Sequence, residues 1–190
     1  DVVDTRPDGS LRCAYSDLLL VSPEGTRMHP KFDEEHSMPQ SFQSGTHLHS
    51  GRNMHGLFAV SKEANGRRGN KPFGKTPDAV LTKSDSIGNS FLNSIGGKTF
   101  KSFEPSCNKG MVYRAFLGIL VAYPSCLNER RMPRVLLPRL IELAASEPVT
   151  QHERHRNFIL NQLHGTRNPF IDRPDMVAKI DFDQAYRKEA

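Results

Sequence analysis

The alternation of apolar and polar positions changes character about halfway along this chain. Up to about His55 the apolar residues come in short pieces such as Leu18-Leu19-Leu20-Val21, separated by Gly, Pro, Ser, Asp and His. That texture predicts short strands and turns. Leu57-Phe58-Ala59-Val60 reads as a buried strand end, and Lys62 to Asn70 as either a short helix start or a loop that Pro72 and Gly74 stop. From Lys75 to Pro105 the recurrence of Ser, Asn, Gly and Lys predicts long surface excursions, with a weak strand signal at Lys98 to Phe103.

Beyond that point the period becomes helical. Within Gly110 to Tyr123, Met111, Ala115, Leu117 or Gly118, and Leu120 or Val121 recur at helical spacing until Pro124, which predicts a central core helix. A second helix is expected from Arg134 to Ala145, with Pro138 limiting its first turn or kinking it. A third begins near Pro148, where Thr150 and Glu153 have capping-box spacing, and its buried face is expected at Phe158, Ile159, Gln162 and Leu163, up to Gly165. One more short helix is expected beyond Arg173. The layout is α+β in a single domain over 1–190, with short strands and loops in the N-terminal part and a mainly helical C-terminal half.

Composition narrows the function classes. The formal charge of +5 and pI near 9.2 favour an anionic partner such as nucleic acid, although the same excess also serves solubility. No apolar run approaches the roughly 20 residues that span a bilayer, so no membrane role is expected. The chain starts at Asp1 rather than Met, as a mature form without its export signal would. Cys13, Cys107 and Cys126 are an odd set. A helix between the last two would hold them roughly 20 Å apart, so any bridge would use Cys13, and three buried thiols are the simpler expectation.

Two strings carry the candidate chemistry. In Glu35-His36-Ser37-Met38-Pro39-Gln40-Ser41-Phe42 a carboxylate stands beside an imidazole. Strand neighbours face opposite sides, so the pair would act as a unit only off a regular strand, and Pro39 makes such a break reasonable. In Asn65-Gly66-Arg67-Arg68-Gly69-Asn70-Lys71 an amide oxygen stands among glycines and cations. Mg²⁺ takes only one or two protein oxygens and completes its shell with water and phosphate, so one Glu plus one Asn is enough. Each string alone also reads as a solvated loop.

Other groups are weaker. His47, His49 and His55 lack a zinc spacing, and His55 fits a satisfied buried histidine. The basic run His152, Arg154, His155 and Arg156 fits a solvated helix face. Gly165-Thr166-Arg167-Asn168-Pro169-Phe170 fits either a phosphate contact or a C-cap with a packed Phe170.

Taken in order, the strings resemble the endonuclease I family from about Phe32 to Ile180. The resemblance comprises Glu35-His36-x-x-Pro39-x-Ser41-Phe42, Met54-His55-x-Leu57-Phe58, and Asn65-Gly66-x-Arg68-x-Asn70-x-Pro72-Phe73-Gly74. Further on come Phe103-Glu104-Pro105, Lys109-Gly110 before Arg114-Ala115, Pro148-Val149-Thr150-Gln151 and Gly165-x-Arg167-Asn168-Pro169-Phe170. The resemblance implies a ββα-metal (His-Me finger) core and a secreted or periplasmic, sequence-nonspecific endonuclease. Its substrate would be DNA, with RNA as a second candidate, cut to 5′-phosphate and 3′-hydroxyl ends, and the protein would be a monomer. At matching positions Glu35 and Asn65 would bind one Mg²⁺-like ion, with Mn²⁺ or Ca²⁺ as substitutes, and His36 would be the general base.

Arg52 is the candidate for a transition-state arginine that relatives carry in a longer loop. Arg67, Arg68, Lys71, Arg154, Arg156 and Arg167 are the candidates for gripping phosphate. The chain departs from the family pattern at Asn53 (usually Asp), Ala59 (usually Pro), Gly69 (usually Ser) and His164-Gly165-Thr166 (usually Gln-Gly-Asn). Asn53 removes a carboxylate that could orient His55. The departures keep open the alternative of a catalytically impaired nucleic-acid-binding module.

Overall fold

The computed structural model describes residues 3–6, 8–21, 29–44, 52–77, 86–95 and 97–186. Six strands form three separate antiparallel pairs among these residues: β1 (Ser10–Arg12) with β2 (Leu19–Val21), β3 (Phe32–His36) with β4 (Leu57–Ser61), and β5 (Gly88–Ile95) with β6 (Lys98–Pro105). The helices are α1 (Lys62–Arg68), α2 (Lys109–Ala122), α3 (Leu137–Ser146), α4 (Gln151–His164) and α5 (Pro169–Asp172). Apart from α1, which lies between β4 and β5, the strands lead and the helices follow, an α+β layout.

β4 runs straight into α1. Ser61 ends the strand and caps the helix, its side chain accepting from the Ala64 N–H, so the stretch with two readings is a helix. It stops at Gly69, whose φ of 52° and ψ of −127° suit glycine and no other residue, so serine here would be strained. The stretch after Lys75 corrects the expectation of surface excursions. Gly88–Ile95 is an eight-residue strand, hidden in sequence by its Ser and Asn positions and held by continuous pairing with β6 from Gly88↔Pro105 to Ile95↔Lys98.

The core forms around α2, in which Gly110 to Leu117, Ile119 and Leu120 are all buried. A helix apolar nearly all round belongs in a core. Phe73 stacks edge-on against Tyr113 at 5.2 Å, Phe116 at 6.4 Å and Tyr15 at 6.1 Å, placing aromatic contacts between the front strands and α2. The three cysteines are free thiols.

α4 begins with the expected Thr150–Glu153 capping box, but the expected apolar face is wrong. Phe158 and Leu163 are 51% and 57% exposed, while Glu153, Arg156, Asn157 and Leu160 face inward. The reason is a polar clasp. Fully buried Arg114 forks onto Glu153 through Nε at 2.9 Å and Nη2 at 2.7 Å, and donates to the carbonyls of Ala144, Glu147 and Pro148. All five of its donors are used, and the end of α3 is tied to the start of α4.

Candidate active site

Glu35 and His36 are the last two residues of β3, opposite Phe58 and Leu57 of β4. The pair was expected off a regular strand; the structure keeps it at the end of one, with the Ser37 N–H still donating to Gly56 O at 2.8 Å. The two side chains therefore leave opposite faces of β3, and any shared chemistry has to meet beyond its end. Pro39 acts one step later, opening a 3₁₀ turn at Gln40–Phe42 that returns Gln40 Nε2 to 3.4 Å from His36 Nε2. Glu35 is turned inward and 7% exposed, and His36 is half-buried.

Both donors to Glu35 meet on Oε1. One is Nη1 of Arg68 and the other is the Tyr15 hydroxyl at 3.0 Å. Arg68 also donates to His36 O and Ser37 O, both at 2.7 Å, and to Lys71 O at 3.2 Å. Its guanidinium lies 4.6 Å from the Phe73 centroid. With none of its surface exposed, Arg68 is not placed to grip phosphate. It fixes three consecutive residues, 35 to 37, and supplies the countercharge that a buried carboxylate needs. Tyr15 is fully buried, and burial followed by the nearby negative charge of Glu35 pushes its phenol well above the usual range, so it stays a donor.

Asn65 stands one helical turn before Arg68, so both point from the same face of α1. Its Nδ2 donates to Asp33 Oδ2 at 3.3 Å, and Asp33 shares a face of β3 with Glu35. The amide nitrogen is thereby committed to Asp33, leaving the amide oxygen as the group available to a cation. Among the described residues no group of three or more His, Cys, Asp or Glu could hold a metal, so the candidate donor set is Glu35 with Asn65. Two hard oxygens and one formal charge suit an ion that keeps most of its water. His47 and His49 lie outside the described residues.

The remaining cations separate into two kinds. Arg156 was expected to grip phosphate but is 4% exposed. It donates to Met54 O at 2.8 Å, to Leu57 O, to His55 O at 3.4 Å and to Asp4 at 2.9 Å, and it lies over Phe58. It therefore clasps the turn that feeds β4. Arg52 and Arg154 are exposed. Arg67 is half-buried near Glu63 at 3.6 Å, and Lys71 donates to Arg67 O at 2.8 Å. Burial, then Lys101 and Arg68, lower the Lys71 pKa. Arg167 is paired with Asp172 through two bonds of 2.7 and 2.6 Å. Gly165 is a left-handed C-cap and Phe170 is buried, so the string does form the cap.

Asn53 caps the turn that leads into β4. Its Oδ1 accepts from the His55 N–H at 2.9 Å as an N-cap, while the His55 ring faces Thr166 through Nε2 at 3.1 Å from the carbonyl and 3.3 Å from Oγ1. Asparagine caps as well as aspartate does, and the imidazole takes its bearing from one of the other departing residues.

A strand pair closed by a helix, with this carboxylate, imidazole and amide at one end, can be set against known families. The family model Endonuclease I matches residues 22–175. The chain belongs to the endonuclease I family. Membership implies nuclease activity on a nucleic-acid substrate, in a family that generally uses divalent metal ions. A comparison with curated proteins gives no match. Glu35, His36, Asn65, Arg68 and Arg156 all fall inside the endonuclease I match, and Tyr15 falls outside it. Sequence reasoning missed Tyr15, which sits in no motif, and Asp33, which strand alternation from Glu35 could have supplied.

Proposed function

We propose that this endonuclease I chain is a metal-dependent, sequence-nonspecific endonuclease built on a ββα-metal core. The observation that carries the reading is the meeting of α1 and β3. Arg68 and Tyr15 take one oxygen of Glu35, and Asp33 takes the nitrogen of Asn65. Glu35 Oε2 and the Asn65 amide oxygen are the groups that would hold a Mg²⁺-like ion, with Mn²⁺ or Ca²⁺ as substitutes. Such an ion, when bound, stabilises charge developing on the phosphate and on the leaving oxygen.

His36 is the general base. Its neutral imidazole takes a proton from the water that attacks phosphorus, and the bond to the 3′ oxygen breaks, leaving 5′-phosphate and 3′-hydroxyl ends. The Gln40 side-chain amide lies beside the ring, its nitrogen 3.4 Å from Nε2. Arg52, Arg67, Lys71, Arg154 and Arg167 are the cations left for phosphate, which they would position without reading bases. DNA is the proposed substrate, with RNA second. A monomer acting in the periplasm or outside the cell fits the family.

Plasmid nicking tests the reading. Cleavage with Mg²⁺ or Mn²⁺ is expected from the parent chain, and none with EDTA or with His36→Ala. Nucleic-acid binding without cleavage by the parent would establish the impaired binding module instead.

A further inference from the structure

A cavity of about 500 Å³ lies between the turn Met54–Gly56, the C-terminal end of α2 and the segment joining α4 to α5. That volume is within the range of small-molecule sites. Its lining divides by chemistry. Val121, Ala122 and the ring of Tyr123 form an apolar wall, His55 and Thr166 face them, and Arg52 is exposed beside them. Among the described residues that line it, none is acidic. Tyr123 is held from the side by Asn53, whose Nδ2 donates to its hydroxyl at 3.5 Å.

The cavity adjoins the candidate active site through the backbone. His55 precedes Gly56, whose carbonyl accepts from Ser37, and lies two residues from Leu57, the register partner of His36. Two residues of chain reach about 7 Å at most. Burial lowers the His55 pKa, which favours its uncharged form. Of the two arginines that line the cavity, Arg167 is paired with Asp172 and Arg52 is exposed. A neutral, aromatic-walled interior with a cation beside it matches a nucleobase whose phosphate stays outside.

We infer that this cavity receives one unstacked base of the substrate strand, against Tyr123 and Val121 with the adjoining phosphate on Arg52, and thereby selects single-stranded or locally opened nucleic acid over stacked duplex. The inference rests on the nuclease reading for the identity of the strand. A paired base enters only after unstacking, and that cost discriminates against duplex.

The test is a titration of the full chain, in EDTA, with an oligothymidylate carrying one 2-aminopurine at successive positions. Stacking on Tyr123 is expected to quench the probe at one position in the single strand and not in the duplex. Tyr123→Leu and Val121→Trp, the second filling the cavity from a residue 41% exposed, are each expected to weaken this binding about tenfold without lowering the melting temperature. Absence of quenching at every position, equal quenching in duplex, or quenching unchanged in both variants would overturn the inference. So would quenching of free 2-aminopurine deoxyriboside 5′-monophosphate without quenching in the strand, which would make the cavity a free-nucleotide site. Plasmid nicking separates the two readings: nicking without quenching removes only the base site, and quenching without nicking removes only the catalysis.

Discussion

Replacing Arg68 by methionine would remove four hydrogen bonds, one to Glu35 and three to the carbonyls of His36, Ser37 and Lys71. It would also leave a carboxylate that is 7% exposed with the Tyr15 hydroxyl still donating to it and no countercharge from Arg68. Breaking a buried pair by removing one partner costs about 3–5 kcal/mol. For a chain of 190 residues each kcal/mol moves the midpoint by about 2–4 °C. The expected fall is therefore about 6–20 °C, read by circular dichroism on heating. DNA binding in EDTA supplies the second readout. A cation that neutralises a phosphate contributes about 0.9 to the slope of log K against log salt. The folded Arg68→Met chain is expected to keep the parent slope, whereas Arg154→Ala, from an exposed position, is expected to lower it by about 0.9 and leave stability within about 0.5 kcal/mol. A melting temperature within about 2 °C of the parent, together with a reduced slope, would refute the buried-clasp reading.

Tyr15→Phe keeps the ring packing and deletes one hydrogen bond to a carboxylate, so a loss of about 1.5–3 kcal/mol is expected in urea unfolding, with reduced nicking at saturating metal. Because burial lowers the folded pKa of His55, the unfolded chain binds the extra proton. The stability that the neutral ring contributes is complete above about pH 6.5 and is lost as pH falls from there toward the folded value. Urea midpoints at pH 8 and pH 5 should fall less for His55→Asn than for the parent, and equal falls would contradict the assignment. Gly118→Ala would place a Cβ 2.9 Å from the amide atoms of Asn168, a side chain fixed by its bonds to Arg114 O and the Phe170 N–H. A destabilisation of about 1–3 kcal/mol is expected, and a neutral substitution in the same unfolding assay would count against that packing.

The sequence shows elements clearly where local chemistry decides them. The α2 run, the Thr150–Glu153 box and the Gly165 cap are each decided within a few residues. The β5 strand was not legible, because its Ser and Asn positions resemble loop and its pairing is with a segment further along. The inward face of α4 was misjudged for a related reason. An arginine or glutamate enters a core only when a distant partner completes its hydrogen bonds, and that partner is invisible in a helical period. The site divides along the same line. Glu35, His36 and Asn65 are motif residues, whereas Tyr15, 20 residues before Glu35, reaches it only through the fold. Arg68 and Arg156 were legible as cations but not as buried ones, since charge alone does not say which carbonyls lie within reach.

Arg68, Arg114 and Arg156 each bind a carboxylate and three backbone carbonyls, all from remote segments except the Lys71 carbonyl on Arg68. With the three cysteines free, these guanidinium groups cross-link strands, turns and helices without an S–S bond. Arginine stays protonated at any pH a protein survives, and no thiol competes for its bonds. Glutathione or dithiothreitol therefore has nothing in these clasps to cut, and their assembly needs neither an oxidant nor an isomerase. Clasps of this kind close in a reducing compartment as they do in an oxidising one.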